Sequence, residues 1–160
     1  MKTVRDMLHN KDASILSIPP DATVFAAIKL MSERNIGALP VMDGDKLVGI
    51  LSERDYARKV ILEDRSSKDT LVKHIMTQTV ITIGTDNTTE ECMTLMTERH
   101  LRHLPVIEND RIIGMVSIGD VVKAIISEQH RTINDLHSII NNGPSDRNFR
   151  NLLFRELDKC

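Results

Sequence analysis

Residues 30–55 read LMSERNIGALPVMDGDKLVGILSERD, and residues 95–120 read LMTERHLRHLPVIENDRIIGMVSIGD. The second stretch repeats the first 65 residues later, without a gap. When the alignment is extended to residues 15–59 and 80–124, 14 of the 45 paired positions are identical. A gapless repeat of this length predicts that the chain contains two copies of one structural unit.

Each copy has the same predicted order of elements: an extended segment, a helix, a hairpin of two strands and a second helix. Apolar residues at helical spacing, such as Val24, Ala27 and Met31, indicate the first helix, and Asp43-Gly44-Asp45 is a typical hairpin turn. The fold class is therefore predicted as α+β. The predicted elements are 14–18, 24–34, 38–42, 46–51 and 54–62 in the first copy, and 80–83, 89–99, 103–107, 111–116 and 119–128 in the second.

Further segments precede and follow the copies. Residues 3–8 and 71–76 resemble each other and predict a short lead-in helix before each copy. Residues 132–140 continue as a helix, which Asn141-Asn142-Gly143-Pro144 breaks. Residues 146–157 then predict an amphipathic tail helix. Its apolar side carries Phe149, Leu152, Leu153 and Leu157.

Composition limits the classes of function. The formal net charge is −2 and only 2% of the residues are aromatic, so a basic or base-stacking surface for nucleic acid is not expected. The apolar runs are shorter than a membrane span, and the first residues, MKTVRDMLHNKD, have no apolar signal core. Cys92 and Cys160 form no CxxC pair, so neither a zinc site nor a disulfide framework is indicated. We expect a cytoplasmic protein that binds neither nucleic acid nor a membrane.

The repeated motifs closely resemble the cystathionine-β-synthase (CBS) domain. Each copy has Met-x-Glu-Arg at the end of its first helix, then Leu-Pro-Val, then Gly, two apolar residues and Ser-x-x-Asp. The resemblance covers about residues 1–128 and implies two CBS units, residues 1–65 and 66–128, packed with pseudo-two-fold symmetry. Residues 129–160 form the predicted helical extension. The chain is similar to stand-alone regulatory proteins of the signal-transduction type, which implies a homodimer and a regulated protein that the sequence does not identify.

The resemblance also implies two clefts between the units that bind an adenine nucleotide: AMP, ADP, ATP, or another adenosyl compound such as NAD or S-adenosylmethionine. An ionised aspartate has two acceptor oxygens and can take both hydroxyl groups of a ribose. Asp55 and Asp120 are therefore candidate ribose contacts. Ser52 and Ser117 lie where strand becomes helix, so their hydroxyls and the first free helix amides can meet a ribose or phosphate oxygen.

The phosphate needs positive charge, and Arg54, Arg102 and His103 are the candidates. The adenine is expected among apolar strand residues. On the resemblance alone, backbone groups of Ile18 and Ile83 read the edge of the base. The other apolar candidates are Ala38, Ile36, Pro40, Leu101 and Pro105.

The two copies differ in charge where the resemblance places the ligand. The first copy has Gly37-Ala38 where the second has Arg102-His103. We therefore expect two non-equivalent sites, the better one in the cleft of Asp120. That a basic group of one unit crosses to the other cleft remains an open alternative.

Simpler interpretations compete with ligand binding. Ser-x-x-Asp is also a helix-capping motif, so both pairs could serve as caps alone. His100 and His103 lack further ligands for a metal. No nucleophile motif or phosphate-binding glycine loop is present, so we expect no enzyme activity and no catalytic cofactor. The alternative function is a ligand-free scaffold that dimerises or docks a partner.

Overall fold

The computed structural model describes residues 2–9 and 15–142 of the 160-residue chain, so the predicted tail helix lies outside the described residues. A π-helical turn, Ala57–Ile61, follows directly after the four-residue helix α3 (Glu53–Tyr56), and a short 3-10 turn spans Val72–His74. The helices and strands in chain order are α1 (Val4–Leu8), α2 (Val24–Arg34), β1 (Ala38–Asp43), β2 (Lys46–Ser52), α3 (Glu53–Tyr56), α4 (Thr89–Glu98), β3 (His103–Glu108), β4 (Arg111–Ser117) and α5 (Ile118–Asn142).

Each copy is built around an antiparallel hairpin, as the sequence predicts. β1 pairs with β2 and β3 pairs with β4, and both hairpins carry a β-bulge at the same place, after Val41 and after Val106. Turns of this kind need a left-handed backbone, which Gly44 adopts in the first hairpin (φ 59°) and Asn109 adopts in the second (φ 51°). The α+β class with a repeated unit is confirmed.

The expected extended segments contribute less than a strand to each sheet. Ile18 forms a single parallel bridge with Val41, and Ile83 forms the equivalent bridge with Val106. Each isoleucine is only 7% exposed. Each segment therefore hydrogen-bonds to the first strand of its hairpin through one isoleucine, without adding a full strand to the sheet.

The first helix of each copy begins at a threonine. The Thr23 side chain accepts a hydrogen bond from the Ala26 amide at the start of α2, at 3.2 Å. At the start of α4, Thr88 and Glu91 form a reciprocal capping box, and the hydrogen bonds from the Thr88 amide and the Asn87 side chain lower the pKa of Glu91. The caps are therefore Thr23 and Thr88, each two residues after an aspartate, Asp21 and Asp86.

Buried residues at helical spacing fix the inner face of both helices. In α2 these are Val24, Ala27 and Met31, and in α4 they include Cys92 and Met96. Burial raises the pKa of the Cys92 thiol, which packs as a small neutral hydrophobe. Each helix therefore packs its apolar stripe against the hairpin of its own copy.

The second helix differs between the copies. The predicted helix at residues 54–62 is divided into the four residues of α3 and the π-helical turn. In the second copy, the predicted helices at 119–128 and 132–140 are one continuous helix, α5, of 25 residues. α5 reaches Asn142, the last residue described, so the predicted break at Asn141-Asn142-Gly143-Pro144 stays a prediction.

The first lead-in segment packs on the copy that lies further along the chain. Thr3 forms an antiparallel bridge with Thr88, and the Val4 amide donates to the Asn87 carbonyl at 2.8 Å. Val4 is fully buried. Residues 2–8 therefore complete the core of the second copy.

The second lead-in segment makes the reverse connection. Leu71 bridges Thr23, and the Val72 amide donates to the Ala22 carbonyl at 2.8 Å. Val72 and Ile75 belong to the same buried cluster as the apolar residues of the first copy. The lead-in segments are thus exchanged between the copies in a pseudo-two-fold manner, although the second one forms a 3-10 turn and not the predicted helix.

The described residues up to Ala124 form one compact unit that contains both hairpins, and those from Ile125 onward belong to a second unit. Within the second unit, every residue of α5 from 129 to 140 is exposed. The proposed boundaries at residues 65 and 128 stay a prediction.

Candidate functional site

Two clefts lie between the copies, and the repeat relates them to each other. The Asp55 cleft, of about 620 Å³, is lined by residues 52–55 of the first copy and 100–103 of the second. The Asp120 cleft, of about 720 Å³, is lined by Ser117 and Asp120 of the second copy and by residues 35–38 of the first. The shift of 65 residues maps one set onto the other. Each cleft is therefore completed by the copy that does not supply its aspartate.

Asp55 is held by a capping box at the start of α3. Its Oδ2 accepts from the backbone amide and from the hydroxyl of Ser52, both at 2.9 Å, and the Asp55 amide donates to the Ser52 Oγ at 3.3 Å. Its Oδ1 lies 3.0 Å from the Lys59 Nζ and 3.5 Å from the Thr77 hydroxyl. The capping interpretation of Ser-x-x-Asp is therefore correct for this pair.

Asp120 repeats the capping arrangement at the start of α5. Its Oδ2 accepts from the Ser117 amide and hydroxyl, both at 2.7 Å, and the Asp120 amide donates to the Ser117 Oγ at 3.3 Å. The counterpart of Lys59 in this copy is Ala124. Position 124 therefore supplies no ammonium group to Asp120 in the way that Lys59 supplies one to Asp55.

The two clefts differ in charge. Among the described residues, the Asp55 cleft has two carboxylates, Glu53 and Asp55, and four cationic side chains. Of the charged side chains that the structure describes in the Asp120 cleft, one is an arginine, Arg5, and two are carboxylates, Glu108 and Asp120. Arg5 is itself tied to Thr85 at 2.8 Å and to Glu108 at 3.4 Å. The cationic side chains of the Asp55 cleft are Arg54, Arg58, Lys59 and Arg102.

This distribution corrects the expectation that Arg102 accompanies Asp120. Arg102 lines the Asp55 cleft, so the charged cleft is the one predicted to be weaker. The Arg102 carbonyl accepts from the Ile118 amide at 2.8 Å, so its backbone stays beside the start of α5 while its side chain faces the first copy. The open alternative, a basic group that crosses between units, is what the structure shows.

His103 lies between the clefts and lines both of them. Its imidazole is next to Gly37 of the other copy: a Cβ at Gly37 would lie 3.4 Å from the His103 Cε1. The remaining predicted residues fall on either side of this point. Pro105 and Leu101 line the Asp55 cleft, and Ala38, Ile36 and Pro40 line the Asp120 cleft.

Ile18 and Ile83 line neither cleft as the structure describes them. The Ile18 amide donates to the Pro40 carbonyl at 3.1 Å, and the Ile83 amide donates to the Pro105 carbonyl at 3.0 Å. Because the hairpins use these amides, their expected role at the edge of the base is withdrawn. The neighbouring apolar pairs, residues 80–81 and 15–16, line the clefts in their place.

Sequence reasoning missed Arg58, Lys59, Thr77 and Arg5 as cleft residues. Arg58 and Lys59 follow Arg54 and Asp55 by one helical turn, which is a signal that the sequence contains. Thr77 and Arg5 reach the clefts only because the lead-in segments are exchanged.

Among residues 2–9 and 15–142, no group of three or more His, Cys, Asp or Glu side chains is placed to hold a metal ion. No helix in the described part of the chain combines the length and apolar character of a membrane span.

Similar proteins share this architecture. A family model described as CBS domain matches residues 4–62 and 72–127. A solved structure of a protein with CBS domains from Burkholderia ambifaria MC40-6 is 49% identical, with a TM-score of 0.78 over 80% of this chain and 96% of that one. The mitochondrial CBS domain-containing protein CBSX3 of Arabidopsis thaliana is 41% identical over 150 residues, which are 88% of this chain and 73% of that relative.

A third similar structure contains ligands. The CBS domain pair of protein MJ0100 was solved in complex with 5'-methylthioadenosine and S-adenosyl-L-methionine. It is 25% identical to this chain, with a TM-score of 0.67 over 79% of this chain and 98% of that one. Two family matches in one chain, two exchanged lead-in segments and two reciprocal clefts lead to one conclusion: the chain belongs to the CBS domain family and carries a tandem pair of these domains.

Proposed function

We propose that this regulatory module binds adenosyl ligands in its two clefts, and that the Asp55 cleft takes the phosphorylated ligand. The observation that carries the proposal is the set of four cationic side chains around the Ser52–Asp55 capping box. Guanidinium groups present forks of donors that match phosphate oxygens. AMP, ADP, ATP and NAD all supply the required phosphate.

The roles of the cleft residues follow from their positions. Asp55 accepts the ribose hydroxyls on its Oδ1 side, and Arg54, Arg58 and Arg102 face the phosphate. The adenine lies among the apolar residues of the second copy, with Pro105 at one wall. The ligand complex of the MJ0100 pair supports the choice of an adenosyl group.

The Asp120 cleft suits an adenosyl compound without a phosphate. Among the residues described there, the one arginine, Arg5, is already paired with a carboxylate, so a phosphate would meet little net attraction from them. A neutral or cationic group, such as the sulfonium of S-adenosylmethionine, fits this balance of charge. The expectation of two non-equivalent sites is retained as a proposal, with the assignment of the clefts reversed.

Regulation follows from the way the clefts are made. Each ligand would contact both copies, so it would favour the arrangement of the copies that closes its cleft, by as much as its affinities for the two states differ. The module itself performs no chemistry in this proposal. The regulated protein, a homodimeric assembly and a cytoplasmic location remain part of the proposal.

Thermal unfolding against AMP, ADP, ATP, NAD, S-adenosylmethionine and adenosine tests the proposal, with GTP as a control. A ligand that binds only the folded state raises the midpoint as its concentration increases. The decisive variant is Arg102→Gln, with Arg34→Gln as the matched control because Arg34 is exposed on α2. We expect Arg102→Gln to weaken AMP binding at least about tenfold, since a charge-assisted hydrogen bond contributes roughly 1.5–3 kcal/mol.

Adenosine binding should change little in the same variant, because adenosine has no phosphate. An equal loss for AMP and adenosine would indicate a damaged cleft, not a lost phosphate contact. No midpoint shift by any adenosyl ligand at millimolar concentration would remove the sensor proposal and favour the scaffold alternative.

A further inference from the structure

The exposed part of α5 carries a regular apolar stripe. Ile126, Gln129, Ile133, Leu136 and Ile140 follow one another at alternating steps of three and four residues. This is heptad spacing, which places all five side chains along one side of a helix. We call this set the α5 seam.

The described part of the chain leaves the α5 seam open. Ile126, Ile133 and Leu136 are 48%, 50% and 53% exposed, and Ile140 is 79% exposed. Ile139, beside the seam, is 66% exposed. An isolated helix of this length is marginal in water, and most helical stability in proteins comes from packing of an amphipathic face. Packing of another surface against the seam would therefore stabilise this part of α5.

We propose that the α5 seam is a self-association surface, on which α5 of a second copy of this chain packs as a short parallel coiled coil. Pressing two such stripes together removes on the order of 1,000 Å² from water, which is about the minimum for a specific interface. The charged side chains of this segment, such as Arg131 and Asp135, lie off the seam and do not oppose the pairing.

Gln129 determines the orientation. In a parallel pair it faces the same residue of the second copy, and the two amides can donate to and accept from each other. In an antiparallel pair it faces Ile133, which leaves an amide without a partner in an apolar seam. The parallel arrangement therefore satisfies the one polar position.

The oligomeric state of the full chain tests the surface. Sedimentation over a range of concentrations would compare the wild type with Ile133→Asp combined with Leu136→Asp. Asn134→Asp combined with Ser138→Asp is the matched control, since it adds the same charges to exposed positions off the seam. We expect the seam variant to raise the dissociation constant at least about 100-fold, which is 2.8 kcal/mol at about 1.4 kcal/mol per tenfold, and the control to leave it unchanged.

Two outcomes would contradict the proposed self-association surface. One is an unchanged assembly in the seam variant, which would place the contact elsewhere. The other is a monomeric wild type that associates only when the chain is cut after Asn142, which would make residues 143–160 the occupant of the seam. Circular dichroism and the unfolding midpoint show whether the variants remain folded.

Disulfide capture tests the orientation. Ile126→Cys in a chain with Cys160→Ser should form a linked dimer on mild oxidation, because a parallel pair brings the two introduced thiols together, while native Cys92 is buried. In an antiparallel pair position 126 lies opposite position 136, so the thiols would be about 15 Å apart along the helix axis. An unlinked Ile126→Cys chain would overturn the parallel arrangement. Asn134→Cys is the control that should not link.

Discussion

Asp55 is fixed by both of its carboxylate oxygens before any ligand arrives. Oδ2 accepts from Ser52 and starts α3, while Oδ1 faces the Lys59 ammonium at 3.0 Å. The Asp55 side chain is only 13% exposed. In the proposed complex, capping and ligand binding use different oxygens of one carboxylate, so a substitution can separate them.

Asp55→Asn separates the two roles. The asparagine oxygen can still accept from Ser52, but its amide cannot accept from two ribose hydroxyls. We expect AMP binding to weaken at least about tenfold, while the loss of the half-exposed Lys59 pair costs roughly 1 kcal/mol of stability or less. Calorimetric titration measures the first change and urea unfolding the second.

Asp64→Asn is the matched control for this substitution, because Asp64 is exposed and lies outside both clefts. Undiminished AMP binding by Asp55→Asn would mean that Asp55 serves only to cap α3. A collapse of stability would mean that the ion pair with Lys59 matters more than its exposure suggests.

At the scale of elements, the first helices of the two copies end in the same backbone conformation with different residues. Asn35, after α2, has φ 51°, and His100, after α4, has φ 54°. The left-handed conformation is unfavourable for most L-residues, and asparagine tolerates it better than histidine. The second copy thus carries strain that the first largely avoids.

We expect His100→Gly to raise the free energy of unfolding of the ligand-free protein by about 1 kcal/mol, because glycine adopts positive φ without a steric cost. Asn35→Gly, the matched substitution in the first copy, should gain less. Urea unfolding measures both. A loss of stability in His100→Gly would show that the imidazole makes contacts worth more than the strain it causes.

Local pattern was enough to predict most elements. The bounds of α2 are those predicted, and both hairpins differ from prediction by one residue at each affected strand end. What local pattern could not supply is the continuation of helices. The sequence predicts that this helix ends near residue 128, whereas α5 continues through the described residues, and the π-helical turn at Ala57–Ile61 has no signal in the sequence that we can identify.

At the scale of the whole molecule, the exchanged lead-in segments join the two cores. Val4 is buried in the second copy, and Val72 is buried in the first. Each core is completed by the lead-in segment that precedes the other copy in the chain. The two copies should therefore unfold together.

We expect one cooperative transition in calorimetry, and Val4→Ala and Val72→Ala should each shift all of it to a lower temperature. Removing a buried branched side chain costs about 2 kcal/mol in a core that relaxes only partly. Hydrogen exchange should show protection falling in both copies for either variant. Val122→Ala is a control at a half-exposed position. Two separate transitions, only one of which moves, would contradict the coupling of the cores.

The same long-range arrangement limits what the sequence reveals about the site. The pair Ser117 and Asp120 could be selected from the repeat, and so could Ser52 and Asp55. The cleft into which Arg102 points could not, because it depends on how one copy faces the other. The sequence predicts that Arg102 accompanies Asp120 because both lie in the second copy. The pseudo-two-fold packing instead places Arg102 in the cleft of Asp55.

The exchange of lead-in segments also bears on how such a chain could arise. A single copy with its own lead-in would present an empty groove that only the lead-in of another molecule fills, so it would assemble as an interlocked pair of short chains. Gene duplication and fusion would keep every one of those contacts. It would also replace an encounter between molecules by one within a molecule, at a far higher effective concentration. Divergence could then act on each half separately, and one ancestral ligand pocket could become two with opposite preferences for charge.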